Sequence, residues 1–122
     1  MDSERTLAGT HVLFLEDDAI ISMSMRQILE EMGCTVRAFL HLPACFDAIC
    51  RERFDIAILD VKIGSQTSYA LAERLDAEGV PIVFVSGYDS PAMQKRWAKH
   101  PTCRKPCLPS RLRAAILSAL SG

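Results

Sequence analysis

The chain has 122 residues, of which 49% are hydrophobic, and 14 basic residues stand against 15 acidic ones for a net charge of −1. That length suits one domain with its own core, and the apolar fraction excludes a disordered tail. The even charge balance excludes a global field that would draw in nucleic acid or an anionic membrane.

Met1 to Thr10 is short and polar and lacks the apolar core of a signal peptide. Residues 1–10 are expected to be a short extension, with a single domain over 11–122. His11-Val-Leu-Phe-Leu-Glu16 is an apolar run ending in acid and reads as a buried strand. A helix follows from about Ala19, with Ile21, Met25, Ile28, Leu29 and Met32 on one face and Gly33 as its stop. Cys34 to Phe39 reads as a second strand, and Pro43 to Arg53 as a helix with proline in its first turn. Phe54-Asp-Ile-Ala-Ile-Leu-Asp60 is the clearest strand, again closed by acid. Gly64-Ser-Gln-Thr-Ser68 breaks the pattern before a helix over Tyr69 to Glu78. Val80 to Ser86 is a fourth strand, ended by Gly87. Ser90 to His100 has few apolar anchors, so a short, mobile or missing helix is expected there. Trp97 reads as a partner contact or as cover for that segment. Thr102 to Lys105 is a short fifth strand. Ser110 reads as the N-cap of a last helix with Leu112, Ile116 and Leu120 on one face.

Regular alternation of strands and helices implies an α/β fold with a five-stranded parallel sheet covered on both faces. Ligands in such doubly wound folds bind beyond the carboxyl ends of the strands. Those ends carry Glu16-Asp17-Asp18, Asp60, Ser86-Gly87 and Lys105-Pro106, so acids, a hydroxyl and an amine converge on one rim. Clustered carboxylates repel, and either a proton or a cation relieves them. Oxygen ligands suit Mg²⁺. A carboxylate beside such a site can attack phosphorus to give an aspartyl phosphate, with an ammonium neutralising the charge that builds on the phosphoryl oxygens. On this reading Asp60 attacks, Asp17 helped by Glu16 holds the metal, Ser86 donates a hydrogen bond, Lys105 pairs with an oxygen, and Gly87 permits close backbone approach.

Leu15-Glu-Asp-Asp18, Ile58-Leu-Asp60, Val85-Ser-Gly87 and Lys105-Pro106, in this order and approximate spacing, resemble the receiver domains of response regulators in two-component systems. The likeness covers about His11 to Leu120. It implies a flavodoxin-like sheet of order 2-1-3-4-5, an example that general accounts of the fold already use. It also implies Mg²⁺-dependent phosphoryl transfer to Asp60 from a sensor histidine kinase or a histidine phosphotransfer protein, in the cytoplasm. The backbone carbonyl of Lys62 matches the family's third protein ligand to the metal. Pro81-Ile-Val-Phe-Val-Ser-Gly-Tyr88 is similar to a mostly single-domain subgroup whose fourth strand runs Pro-Phe-x-Phe-Ala-Thr-Gly-Tyr, with Ser86 in place of its threonine. Many receivers carry an aromatic switch residue three positions before the lysine. Thr102 stands there, so that readout is missing, and Tyr88 is the candidate to replace part of it. The Lys62 ammonium is expected to reach the phosphoryl group and alter its lifetime.

Plainer readings exist for each feature. Glu16 to Asp18 alone fits a solvated acidic turn capping a helix N-terminus, and Asp60 alone fits a turn after a strand. The company of Ser86 and Lys105 promotes them. Cys34, Cys45, Cys50, Cys103 and Cys107 are odd in number and scattered. They read as small packing residues in a reducing compartment, not as disulfides or a metal site. Met23, Met25 and Met32 belong at least partly to the core face of the first helix. The expected output is phosphorylation-controlled binding to a downstream protein, or a phosphate sink, with no nucleic-acid or membrane partner and no turnover of outside substrates. A haloacid dehalogenase-like phosphatase is the alternative enzyme, but Asp60-Val-Lys62 lacks that family's Asp-x-Asp. A receiver-shaped binding module that is never phosphorylated is the other alternative, and a flavodoxin-like flavin binder ranks last.

Overall fold

The computed structural model describes residues 7–87 and 94–122. Five strands, β1 (His11–Leu15), β2 (Thr35–Phe39), β3 (Ile56–Asp60), β6 (Ile82–Ser86) and β7 (Thr102–Arg104), form one parallel sheet of order β2-β1-β3-β6-β7. This is the expected flavodoxin-like order, with β6 and β7 as the fourth and fifth strands of the main sheet. A two-stranded antiparallel ribbon, β4 (Lys62–Ile63) and β5 (Gln66–Thr67), lies between β3 and the next helix. The helices are α1 (Ala19–Glu31), α2 (Leu42–Arg51), α3 (Tyr69–Ala77) and α4 (Pro109–Ser121), with a 3-10 turn at Lys95–Trp97.

Alternation along each strand sorts a continuous apolar run onto two faces. Leu13, Leu15, Ala57, Leu59, Ile82 and Phe84 face α2 and α3, where they meet Cys45, Ala48, Tyr69, Leu71, Ala72 and Leu75. Val12, Phe14, Val36, Ile56, Ile58, Val83 and Val85 face α1 and α4 and meet Met25, Leu29, Leu112, Ile116 and Ala119. Each large side chain fully buried this way contributes about 1.5–3 kcal/mol. The two packed layers hold the carboxyl ends of β1, β3 and β6 side by side.

Local chemistry explains the element ends. Asp18 caps α1 by accepting from the backbone N–H of Ile20 and Ile21 at 2.9 and 3.0 Å. Past the end of α1, Gly33 takes φ +100, and a Cβ there would stand 2.9 Å from Ala8 Cα, so the turn into β2 requires glycine.

Several expectations are corrected. The last helix is capped at Leu108 and begins at Pro109, not after Ser110. Proline at the first helical position has its φ preset and no N–H to leave unpaired, which overrides a serine one residue on. The break at residues 64–68 holds the turn and second strand of the β4–β5 ribbon, closed by the two-residue turn Gly64-Ser65 with Gly64 at φ +61. Trp97 is 1% exposed, so it is neither a partner contact nor loose cover. Its ring stacks on Tyr69 at 6.0 Å and meets Phe84 edge-on at 5.7 Å. Met25 is buried and Met32 packs beside it, but Met23 is 72% exposed. The cysteines are free; Cys34, Cys45 and Cys103 are packing residues, whereas Cys50 is exposed. The weak helix expected over Ser90 to His100 falls partly outside the described residues, and its described part holds only the 3-10 turn. No helix among the described residues is long and apolar enough to cross a membrane.

Candidate functional site

β1 ends one residue before Glu16, β3 ends on Asp60, β6 ends on Ser86, and β7 ends one residue before Lys105. Parallel pairing brings these ends to one rim. Lys105 is drawn in by its backbone N–H, which donates to the Ser86 carbonyl at 2.8 Å. Its ammonium then reaches Asp60 Oδ2 at 2.8 Å and Glu16 Oε1 at 2.7 Å. Both carboxylates are buried, Glu16 at 1% and Asp60 at 4% exposure. The second Glu16 oxygen accepts the Asp18 backbone N–H at 2.9 Å, which fixes the side chain from two sides.

Burial pushes the Glu16 carboxyl above the usual carboxylate range, and the nearby Asp60 charge adds to this; the contacts with Lys105 and the Asp18 N–H offset part of it. Burial alone would lower the Lys105 ammonium, yet its hydrogen bonds to Asp60 and Glu16 win and hold it above the ordinary lysine range. Lys105 is therefore a fixed cation at neutral pH.

Asp17 is exposed on the open side of the rim. Its Oδ2 accepts the Gly64 backbone N–H at 2.8 Å, tying the end of β1 to the β4–β5 turn. Carboxylate oxygens of Glu16, Asp17 and Asp60 all lie within 4.8 Å of one another. They line a hollow of about 240 Å³ together with Asp18, Ile21, Lys62, Gly64 and Lys105. An oxygen-only donor set opening on water fits a hard divalent cation such as Mg²⁺ better than a soft-ligand metal. Two larger hollows, of about 730 and 420 Å³, lie toward the amino ends of the strands, and among the described residues they hold no comparable carboxylate cluster.

The structure thus brings together Glu16, Asp17, Asp60 and Lys105, with Lys62 lining the same hollow. Ser86 stands at the end of β6, half-buried, with Gly87 following it. Thr102 lies in β7 opposite Phe84, exposed, with no aromatic ring at that position. Tyr88 lies outside the described residues. Asp18 caps α1, which the plainer reading of the acidic turn at that helix N-terminus already contained. One contributor escaped the sequence reading: the Gly64 N–H that holds Asp17, a contact 47 residues away in the chain.

This chain belongs to the response regulator receiver domain family, whose sequence profile matches residues 12–117. It is a receiver homologous to response regulators of two-component systems, a family in which phosphorylation falls on an aspartate. The transcriptional regulatory protein CseB of Streptomyces avermitilis is 36% identical over 78 residues, 63% of this chain and 33% of that protein. CrdR of Helicobacter pylori, also a transcriptional regulatory protein, is 26% identical over 87 residues, 69% of this chain and 41% of that one. The chain thus spans about a third to two-fifths of the length of these relatives. Among solved structures, SdrG from Sphingomonas melonis Fr1 superposes with a TM-score of 0.82 at 28% identity, covering 93% of this chain and 98% of that one. The CheY-like receiver domain from Methylobacillus flagellatus shares the fold with a TM-score of 0.80 at 19% identity, over 92% and 99% of the two chains.

Proposed function

We propose that this receiver takes a phosphoryl group on Asp60 from a phosphohistidine of a sensor histidine kinase or histidine phosphotransfer protein, in the cytoplasm. The observation that carries the reading is the Lys105 ammonium held between Asp60 and Glu16 at the mouth of an oxygen-lined hollow. An Asp60 carboxylate oxygen forms a bond to phosphorus as the phosphorus–nitrogen bond of the donor breaks, and the imidazole leaves with the electron pair. Lys105, already charged, follows the growing negative charge from the Asp60 carboxylate onto the phosphoryl oxygens. Ser86 hydrogen-bonds a second oxygen, and Gly87 admits close backbone approach. Bound Mg²⁺ supplies further charge neutralisation in this chemistry. Asp17, Glu16, Asp60 and the Lys62 backbone carbonyl are the groups that would hold it.

The acyl phosphate then serves as a switch, read by a downstream protein or drained as a phosphate sink, and not as a step in turnover of outside substrates. The Lys62 side chain, at the edge of the hollow, tunes how long the phosphoryl group persists; an unchanged dephosphorylation rate in Lys62→Ala would remove it from the account. Tyr88 is assigned part of the readout that Thr102 cannot supply.

Intact-protein mass after incubation with acetyl phosphate tests the reading. A gain of one phosphoryl group is expected with Mg²⁺ and not without it, and is lost in Asp60→Asn. Absence of any gain, with acetyl phosphate and with a phosphorylated kinase alike, would favour a receiver-shaped binding module.

A further inference from the structure

Cys103 and Cys107 stand on either side of Lys105 in the chain. Cys103 is the middle residue of β7 and is buried. It pairs in register with Val85, whose side chain faces α1 and α4, and register partners in a sheet point to the same face. Cys107 is half-buried and packs against that same layer. The chain between them doubles back, so two thiols four residues apart meet. Cys107 Sγ lies 4.0 Å from the Cys103 carbonyl oxygen, and the two thiols are in hydrogen-bond contact. Both are free of any disulfide.

We propose that Cys103 and Cys107 form a two-thiolate site for a soft monovalent cation of the copper(I) class. Thiolate sulfur selects soft metals, and the number of ligands selects among them. Structural zinc is almost always held by four ligands. Among the described residues, the only cluster of three or more His, Cys, Asp or Glu ligands is Glu16, Asp17 and Asp60, which offers oxygen alone. Copper(I) is satisfied by two sulfurs in line, and two are what this turn provides.

The geometry favours a metal over a disulfide. A disulfide needs its sulfurs about 2.05 Å apart, and Cys103 cannot yield, since β7 is paired with β6 on both sides of it and the Lys105 N–H is bonded to the Ser86 carbonyl. Two thiolates on one metal, with bonds of about 2.3 Å, stand up to about 4.6 Å apart, a spacing that thiols in hydrogen-bond contact already approach. Burial also pushes the Cys107 thiol up to about 12, which leaves little thiolate to attack an oxidant. A soft cation displaces the proton itself as the bond forms. On binding, two S–H bonds break, two metal–sulfur bonds form, two protons pass to solvent, and no electron is transferred. The resulting bis-thiolate carries one negative charge. Its surroundings suit that charge: residues 94–122 hold seven Lys and Arg and no Asp or Glu, and Arg104 and Lys105 lie between the two ligands in the chain. The inference does not depend on the proposed phosphoryl chemistry, although its ligands flank the lysine that serves it.

Anaerobic titration of the full chain with copper(I), in competition with a bicinchoninate chelator, tests it. One copper(I) per chain should be retained, with a sulfur-to-copper absorption band in the ultraviolet. Retention should be lost in Cys107→Ser and in Cys103→Ala, and kept in Cys50→Ser, which removes an exposed thiol elsewhere. Bound copper should also shield Cys107 from iodoacetamide while Cys50 stays reactive, as read by peptide mass. Circular dichroism confirms folding; Cys107→Ser, at a half-buried position, decides the matter if Cys103→Ala unfolds. No retention against the chelator, equal retention in Cys107→Ser, loss in Cys50→Ser, or zinc held in preference to copper(I) would each overturn the proposal.

Discussion

Removing the ammonium of Lys105 should convert the site from a satisfied ion triad into two buried acids facing each other. Lys105→Met keeps most of the side-chain volume and deletes the charge. At 2.7 and 2.8 Å, each pair is worth about 6 kcal/mol in Coulomb attraction at an effective dielectric of about 20, before the cost of desolvating the three ions is subtracted. Removing one partner of such a buried set costs about 3–5 kcal/mol net. We expect about 3 kcal/mol, because Lys105 keeps a quarter of its side-chain surface in water. That corresponds to a drop in Tm of about 10 °C or more. The loss should depend on pH. Glu16 already binds its proton more tightly in the folded state than unfolded, and losing Lys105 raises it further. A group raised on folding stabilises fully below its unfolded value, and that contribution fades as pH rises through the folded value. Lys105, itself raised, stays charged across this range. Thermal denaturation followed by circular dichroism, in EDTA so that no divalent cation substitutes for the ammonium, should therefore show a larger deficit at pH 8 than at pH 5. An equal deficit at both values would refute the electrostatic account and leave only a packing loss.

Three further outcomes follow from the packing. Gly33→Ala forces a Cβ against Ala8 at a positive φ and should cost about 1–3 kcal/mol in urea unfolding; a change within error would mean that the α1–β2 turn shifts freely. Trp97→Ala should cost about 3–5 kcal/mol, as for other buried aromatics, whereas a surface residue would cost almost nothing. Asp18→Ala should lower stability by about 1 kcal/mol through loss of the α1 cap while leaving phosphoryl gain intact; abolished phosphorylation would make Asp18 part of the chemistry.

The site was legible because its residues end strands. Apolar runs closed by Glu16 and Asp60, and the pairs Ser86-Gly87 and Lys105-Pro106, needed only the rule that parallel strands point one way to be gathered on one rim. Their mutual pairing was not legible. That Lys105 spans Glu16 and Asp60 depends on register between β6 and β7 and on the Ser86 carbonyl, neither of which has a local signature. Trp97 was misread for a related reason. Its neighbours in sequence are mostly polar, and its burial comes from Tyr69 and Phe84, on other elements. The β4–β5 ribbon rests on four residues, too few for an alternating pattern, although Gly64-Ser65 carried its turn. At the last helix, proline chemistry at Pro109 outranked the hydroxyl of Ser110.

Site mapping identifies the phosphoryl acceptor. The protein is phosphorylated with acetyl phosphate and Mg²⁺, reduced with borohydride, and digested for peptide mass analysis. Borohydride converts an aspartyl phosphate to homoserine. With Asp60 as the acceptor, homoserine is expected at position 60 alone. Homoserine at Asp17 or Asp18, or a stable phosphoryl group on a histidine or a hydroxyl, would contradict it.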